Sequence, residues 1–441
     1  MRVVVWGTGR TGMETARVLS GEGHEVRLVD EFMSTNDLPA NDLPANDLPI
    51  KDPLTGHIAS GLSVREITQA DMKWADLVVP SPGIPRDHPL FAHAKEVLSE
   101  IECAYRRLSG RIIAVTGTNG KTTTVTLIHA ILKEAGMDVG LGGNISPPLI
   151  ALTREDPEIV VVEISSFQLE WIDTFRPSIA VCLNLSPDHL DRYHTMDEYI
   201  HYKLRIFENQ GSEDLCIIND DDARLKALYP KAETIRFSSD TYTDGRISLF
   251  SGREGPLLKD AQGLGSGVIE DMIAAALVCD RLGIDKRVME KVFNKFGGIK
   301  HRYENVGTVD GVSFIDDSKA TNVGAVEKAL TGTTGRAVLI LGGTDKGGDF
   351  ASMAKMHAQK IRKAIILGTQ ADRIREEIRD IVETLDAGDM MDAVEKAYKG
   401  AQPGDAVILS PGCASFDMFS GYAQRGEVFT QCAKKLMRSK R

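Results

Sequence analysis

The run Thr116-Gly117-Thr118-Asn119-Gly120-Lys121-Thr122-Thr123 has the composition of a loop that holds phosphate. Its glycines let the backbone curl until several N–H groups face an anion, and a helix starting there adds the positive end of its dipole. Lys121 is spaced to neutralise phosphate charge, and Thr122 or Thr123 can offer a hydroxyl to magnesium. Val115 stands where the general Walker pattern has its first glycine, so the loop is a variant. Glu163 ends the apolar run Ile159-Val160-Val161-Val162. A carboxylate at the C-terminal edge of a parallel strand faces the same rim as the phosphate loop, and magnesium takes a few carboxylates together with phosphate oxygens and water. Further on, Asn184-Leu185-Ser186-Pro187-Asp188-His189-Leu190-Asp191 gathers two carboxylates and a histidine just past a strand. His189 is expected there as a metal ligand or a substrate-positioning group.

Two other regions carry similar signals. Gly7-Thr8-Gly9-Arg10-Thr11-Gly12 fits a dinucleotide fingerprint, and Asp30 ends the next strand where a ribose-binding acid would sit. Such a loop holds any diphosphate, and the Ser81-Pro82-Gly83 turn can add N–H donors to it. Near the C-terminus, Asp316-Asp317-Ser318-Lys319-Ala320-Thr321-Asn322, Gly342-Gly343-Thr344-Asp345-Lys346-Gly347 and Ser410-Pro411-Gly412-Cys413-Ala414-Ser415 each follow a strand signal. Three polar loops on one rim make a site, and Lys319 and Lys346 supply cations for an anionic substrate.

These loops need a frame. A length of 441 residues calls for two to four domains. Strand signals at 3–6, 25–29 and 77–79 alternate with a helix over 11–20. A second strand–loop–helix unit runs from a strand over 112–115 to a helix over 121–135, with further strands over 160–163 and 179–184. Strands over 313–316, 337–341, 364–367 and 406–409 build a third. Such alternation implies an α/β fold with parallel sheets. The expected domains are 1–109, 110–298 and 299–441, broken near Ser109-Gly110 and Gly297-Gly298-Ile299. Residues 36–50 repeat Asn-Asp-Leu-Pro three times and read as a surface loop expanded by duplication.

Composition narrows the partners. The net charge is −11, which argues against general binding to nucleic acid or anionic membrane. No apolar run approaches the ~18 residues of a membrane span, and no secretory signal is visible. The six cysteines form no Cys-x-x-Cys pair and read as reduced thiols of a cytoplasmic protein.

Taken together, residues 116–123, Glu163-Ile164-Ser165-Ser166-Phe167-Gln168-Leu169-Glu170, Asp188-His189-Leu190-Asp191-Arg192-Tyr193, His301-Arg302-Tyr303-Glu304, 317–322 and 410–415 resemble the Mur ligases, in order and over essentially the whole chain. The resemblance implies three α/β domains: Rossmann-like, central P-loop ATP-binding, and C-terminal Rossmann-like. It implies an ATP-dependent amide ligase of peptidoglycan precursor synthesis, adding D-glutamate to UDP-N-acetylmuramoyl-L-alanine through an acyl phosphate. The cofactors implied are ATP and magnesium, with two ions expected; the chain is expected to be a monomer. Carried onto matching positions, Gly9, Arg10, Thr11 and Gly12 would line the UDP site with Asp30, Ser81, Pro82 and Gly83. Asn144 would touch the acyl end of that substrate. Gly117, Thr118, Asn119, Gly120, Lys121, Thr122 and Thr123 would hold ATP, with Asp271, Arg302 and Asp317. Thr122, Glu163 and His189 would organise metal, helped by Lys203 as a carbamate on a helix from about 197 to 208. Lys121, Glu163, His189, Lys203 and Lys319 would be catalytic, and Lys319 would contact the transferred phosphoryl group. Thr321, Lys346, Ser415, Phe416 and Tyr422 would surround D-glutamate.

There are departures from the family pattern. A His-Asn-x-x-Asn stretch that contacts adenine is replaced by Gly267-Val268-Ile269-Glu270-Asp271, where Asp271 cannot donate unless protonated. Glu31 puts an acid near the expected UDP. Other readings of the residues remain: a different Mur-type or folylpolyglutamate-type ligase, a weakly catalytic nucleotide-sugar-binding paralogue, or an NAD-dependent oxidoreductase resting on Gly7–Gly12 and Asp30 alone.

Overall fold

The computed structural model describes residues 1–31, 57–58, 62–190, 192–258, 266–344 and 347–440. The repeat over 36–50, Asp191, Asp345 and Lys346 lie outside the described residues. Three sheets succeed one another along the chain, of five, six and six strands, besides a small hairpin.

The first sheet contains β1 (Arg2–Trp6), β2 (Glu25–Asp30), β3 (His57–Ile58), β4 (Leu62–Glu66) and β5 (Leu77–Pro80), in the order β3-β4-β2-β1-β5. Its strands pair in parallel except for β3 with β4. Helix α1 (Arg10–Gly21) links β1 to β2, α2 (Gln69–Trp74) precedes β5, and α3 (Glu100–Tyr105) closes the unit. Strand β1 lies between β2 and β5, so the loop after it sits where the strand order reverses, the usual place for a ligand crevice.

The second sheet is wholly parallel: β6 (Arg111–Thr116), β7 (Val139–Gly143), β8 (Ile159–Glu163), β9 (Ile179–Cys182), β10 (Leu215–Asn219) and β11 (Glu233–Phe237), ordered β11-β10-β9-β6-β8-β7. Its strands are near-continuous apolar runs because both faces are covered. Helix α4 (Lys121–Glu134) follows β6. The expected strand to Asn184 stops at Cys182, because Asn184 turns to serve the β6–α4 loop: its carbonyl accepts from Thr118 N at 2.9 Å. Beyond come α5 (Ser166–Leu169), α6 (Met196–Leu204), α7 (Ala223–Lys226), the hairpin β12 (Tyr242–Thr243) and β13 (Arg246–Ile247), then α8 (Ser266–Arg281) and α9 (Lys286–Phe293). The helix expected over 197–208 is α6 plus one 3-10 turn, Arg205–Phe207. The Arg205 guanidinium is tied to the carbonyls of Leu169, Glu170 and Ile172 at 2.8–3.0 Å, which draws the chain out of the α-helical path. The apolar run 272–279 lies within α8 and is buried throughout.

The third sheet contains β14 (Glu304–Val309), β15 (Val312–Asp316), β16 (Ala337–Leu341), β17 (Ile361–Ile366), β18 (Thr384–Asp386) and β19 (Ala406–Leu409), ordered β14-β15-β19-β16-β17-β18. Only β14 is antiparallel. Its hairpin with β15 turns through Asp310-Gly311, both at positive φ, a dipeptide that favours such turns. Helices α10 (Val323–Gly332), α11 (Phe350–His357), α12 (Ala371–Ile378), α13 (Met390–Gly400) and α14 (Tyr422–Ser439) cover the two faces.

The cores are unevenly shared. One apolar cluster runs from Val3, Val5 and Leu19 through Ile101 to Ile112, Leu149 and Val160, joining the first two sheets. The clusters on the third sheet, around Leu339 with Phe350 and around Val407 with Phe429, draw on residues after 300 alone. Among the described residues no apolar cluster joins the third unit to the other two.

Candidate active site

The β6–α4 loop is built by its neighbours. Asn184 reads its backbone twice, accepting from Thr118 N at its carbonyl and from Asn119 N at its Oδ1, 2.8 Å away. Thr118 Oγ1 accepts from Ser186 N at 3.0 Å and pairs with the Tyr199 hydroxyl at 2.9 Å. Gly120 caps α4 at φ 95°, and a Cβ there would stand 2.2 Å from Asp271 Oδ1, so glycine is needed twice over. The first turn of α4 has no earlier carbonyls to accept its N–H groups, which leaves them for an anion. Lys121 Nζ lies back on the loop, donating to Gly117 O at 2.8 Å and Thr118 O at 2.9 Å.

This loop forms one wall of a cleft of about 540 Å³. The same cleft is lined by Arg10 from the start of α1, by Asn144, Glu163, Asp188 and His189 from the central unit, and by Arg302, Asp317, Lys319, Thr321 and Tyr422 from the third. The expected rim loops of the third sheet do meet, because β15, β19 and β16 are neighbours. Gly412 N donates to Ala320 O at 2.9 Å, Thr344 and Ala414 exchange backbone bonds at 2.8–2.9 Å, and Ser410 Oγ donates to Asp317 Oδ2 at 2.9 Å. Arg425 of α14 threads them from behind, donating to Ser318 O at 2.8 Å and Cys413 O at 3.1 Å; burial lowers its guanidinium to about 10. The opening reading of the sequence did not single out Arg425, since one arginine in an amphipathic helix carries no signal of its own.

Charge in the cleft is tuned by burial. Lys319 Nζ donates to Thr122 Oγ1 at 3.1 Å, and burial, then the neighbouring Arg302, lowers its ammonium to about 8. Burial pushes the Asp317 carboxyl up to about 7. Glu163 is held by Asn144, whose Nδ2 donates to Oε1 at 2.8 Å, while Oε2 is buried with no hydrogen-bond partner among the described residues. His189, at φ 56°, stands edge-on to the Phe167 ring 4.7 Å away. Glu163, Thr122 and His189 line this one cleft, and a buried carboxylate oxygen lacking a partner there is the kind of donor a hard divalent cation takes.

Several expected residues sit elsewhere. Lys203 is behind the loop rather than in the cleft wall: it is buried, donates to Gly117 O at 3.1 Å and packs against the Tyr199 ring. Burial, with Lys121 nearby, lowers its ammonium to about 7. Asp271 is not at an exposed nucleotide edge either. It is buried under Gly120, accepts from Thr124 Oγ1 at 3.3 Å and pairs with Arg302 at 3.4 Å; Gly267 and Val268, one turn earlier on α8, do line the cleft. Burial pushes the Asp271 carboxyl up to about 6. Asp30 braces the first loop, accepting from Thr8 N at 2.8 Å and Thr8 Oγ1 at 2.6 Å. Gly9, Thr11 and Gly12 stay at the start of α1, away from the cleft lining. Ser81 and Pro82 border a second, much smaller cavity with Arg192, which donates to Pro82 O and Ile84 O at 2.9 Å and so fixes the 81–84 turn to the central unit. Gly83 belongs to that turn. Ser415 is buried behind the rim, and Phe416 is 75% exposed and off the cleft wall.

Comparison with known proteins agrees with this architecture. The Mur ligase middle domain matches residues 115–253, and the Mur ligase, glutamate ligase domain matches 301–413. A UDP-N-acetylmuramoylalanine--D-glutamate ligase of Trichlorobacter lovleyi is 38% identical over 99% of both chains. One of Geobacter metallireducens is 39% identical over 98% of this chain and 97% of the relative. Among solved structures, a pseudomurein peptide ligase type C from Methanothermus fervidus has a TM-score of 0.62 at 17% identity, covering 99% of both chains. MurF ligase from Thermotoga maritima in complex with ADP has a TM-score of 0.59 at 17% identity, covering 83% of this chain and 90% of that one.

Proposed function

The chain belongs to the Mur ligase family, and from that premise we propose that it joins D-glutamate to UDP-N-acetylmuramoyl-L-alanine with cleavage of ATP, as its relatives' names describe. The observation that carries this reading is the bond from Lys319 to Thr122: it sets the third unit's polar rim directly against the phosphate loop. An enzyme that activates a carboxylate on one wall and delivers an amine from the other needs that juxtaposition.

The substrate carboxylate attacks the γ-phosphorus of ATP, ADP leaves, and an acyl phosphate forms. The neutral amine of D-glutamate then attacks the carbonyl carbon, the bond from that carbon to the phosphate oxygen breaks, and phosphate departs with the proton lost by the amine as the amide forms. Lys121, Lys319 and Arg302 line the cleft and would offset the charge spread over the transferred group's oxygens. The N–H groups of the first turn of α4 add fixed dipoles that need no reorganisation. Magnesium, when bound, would neutralise phosphate charge, and Thr122, Glu163 and His189 would hold it. The low-lying Lys203 ammonium leaves a large share of neutral amine near pH 7. Such an amine adds to carbon dioxide with loss of a proton, giving a carbamate that would support a second ion.

Gly9, Arg10, Thr11 and Gly12 would face the diphosphate of the UDP substrate, with Asp30 and the 81–83 turn holding the loop in shape. Asn144 would meet its acyl end, while Thr321 and Tyr422, on the cleft wall, would serve D-glutamate with Lys346, and Ser415 would back the rim behind them. Asp271 would act on ATP through Arg302 and the loop. Among the described residues no helix is long and apolar enough to cross a membrane, and we place the enzyme in the cytoplasm. Phosphate release from ATP and magnesium, assayed with UDP-N-acetylmuramoyl-L-alanine and a panel of D- and L-amino acids, tests the reading. Release confined to D-glutamate supports it; release with none of the panel rejects it.

A further inference from the structure

The third unit shares no apolar cluster with the other two among the described residues; it meets the central unit where α10 packs against α8 and through polar contacts over the phosphate loop. One of these contacts is unlike the others. The Asn119 and Asn322 side-chain amides face each other and bond reciprocally: Asn119 Nδ2 donates to Asn322 Oδ1 at 3.2 Å, and Asn322 Nδ2 donates to Asn119 Oδ1 at 3.3 Å. Asn322 is also the N-cap of α10, its Oδ1 accepting from Ala325 N at 3.0 Å, and its Nδ2 donates to Asp188 Oδ2 at 3.3 Å. Those two partners fix which end of the Asn322 amide is oxygen and which is nitrogen. One side chain therefore joins the phosphate loop, the Asp188-His189 turn and the first turn of a helix in the third unit. The fit around it is close: a Cβ on Gly324 would come within 2.7 Å of Ser186 Oγ, and Ser186 N is bonded to Thr118 of the same loop.

We propose that Asn119 and Asn322 form an interdomain latch that positions Lys319 and Thr321 over the phosphate loop when the third unit closes. The inference deepens the ligase reading and rests on it for its kinetic readout. Neither side chain needs to touch the reacting atoms: the loop would hold phosphate through its backbone N–H groups and Lys121, which leaves the Asn119 side-chain amide to the latch. Lys319 lies three residues before Asn322 and reaches Thr122 on the same loop as Asn119, so the amide pair and the Lys319 contact form or break together. Opening exchanges the amide pair for water at a net cost of about a tenfold change in an equilibrium constant, small enough for a contact made and broken in each turnover and large enough to be read in kcat.

A double-mutant cycle tests this. Ser caps a helix nearly as well as Asn but cannot reach Asn119, so Asn322→Ser keeps α10 while removing the latch. Asn119→Ala leaves the backbone bonds to Asn184 in place. Each single variant is expected to lower kcat about tenfold while KM for ATP stays within about twofold, and the double variant to be no slower than either single one. A multiplied loss of about a hundredfold in the double variant, or unchanged kcat in the singles, overturns the latch. Small-angle scattering with a non-hydrolysable ATP analogue gives a readout independent of turnover. Wild type is expected to be more compact than all three variants, and equal radii of gyration overturn the proposal. A wild-type chain that releases no phosphate with D-glutamate would reject the ligase reading, while scattering would still decide the latch.

Discussion

Replacing Glu100 by glutamine should make the protein more stable at alkaline pH and leave it unchanged in mild acid. Glu100 lies on α3, which closes the first unit, yet its carboxylate reaches the second: Oε1 accepts from the backbone N–H of Ile150 at 2.5 Å. Oε2 is buried with no hydrogen-bond partner among the described residues, and the whole residue is 2% exposed. Burial outweighs the single backbone bond and pushes the carboxyl from 4.5 up to about 7. Below pH 4.5 folded and unfolded chains both hold this proton, so Glu100 costs nothing there. As pH rises from 4.5 towards about 7 the unfolded chain releases the proton first, and folding stability falls. Above that window both states are ionised and the loss is complete. At about 1.4 kcal/mol per tenfold difference in proton affinity, the loss approaches about 3 kcal/mol. Glu100→Gln keeps the acceptor for Ile150 and removes the ionisation. Urea midpoints should be read from the transition in which the first two units melt, since they share a core. Wild type and variant should coincide near about pH 4.5 and separate by about 2–3 kcal/mol by about pH 8. Parallel pH profiles would mean that water or relaxation already solvates this carboxylate and that burial does not raise its proton affinity.

Three further outcomes are expected. Lys121→Ala should cut phosphate release by about a hundredfold or more, measured under saturating ATP; unchanged turnover would remove the loop from the phosphoryl site. Lys203→Ala should lose activity that short carboxylic acids partly restore, and a variant with wild-type turnover would end the carbamate reading. Gly426→Ala would place a Cβ 2.2 Å from His301 Nδ1 and 2.8 Å from Asp316 Oδ2, where His301 and Asp316 are themselves bonded at 2.7 Å. It should cost about 1–3 kcal/mol by urea unfolding and raise KM for ATP, because Arg302 follows His301 in the chain; no change in either would mean that the His301 ring moves aside freely.

Much of this molecule is legible one residue after another. The phosphate loop, the carboxylate ending an apolar strand and the polar rims after β15, β16 and β19 are local patterns. Backbone chemistry within a few residues dictates them, and a parallel sheet delivers them all to the strands' C-terminal edges. Alternating strand and helix signals likewise report three α/β units, because side-chain period follows backbone geometry. What the linear pattern does not contain is which distant groups meet. Asp271 is expected from the resemblance to serve the nucleotide, but helix α8 packs its buried face against α4 and carries that carboxylate beneath Gly120. Lys203 is expected from the resemblance as a carbamate, but only the docking of α6 behind the loop shows that it is buried and what it bonds to. Asn322 caps α10 through a bond to a residue three places on, whereas its pairing with Asn119 spans 203 residues. Burial and partner identity are properties of the packed chain, and they decide both the proton affinities and which polar groups bind one another.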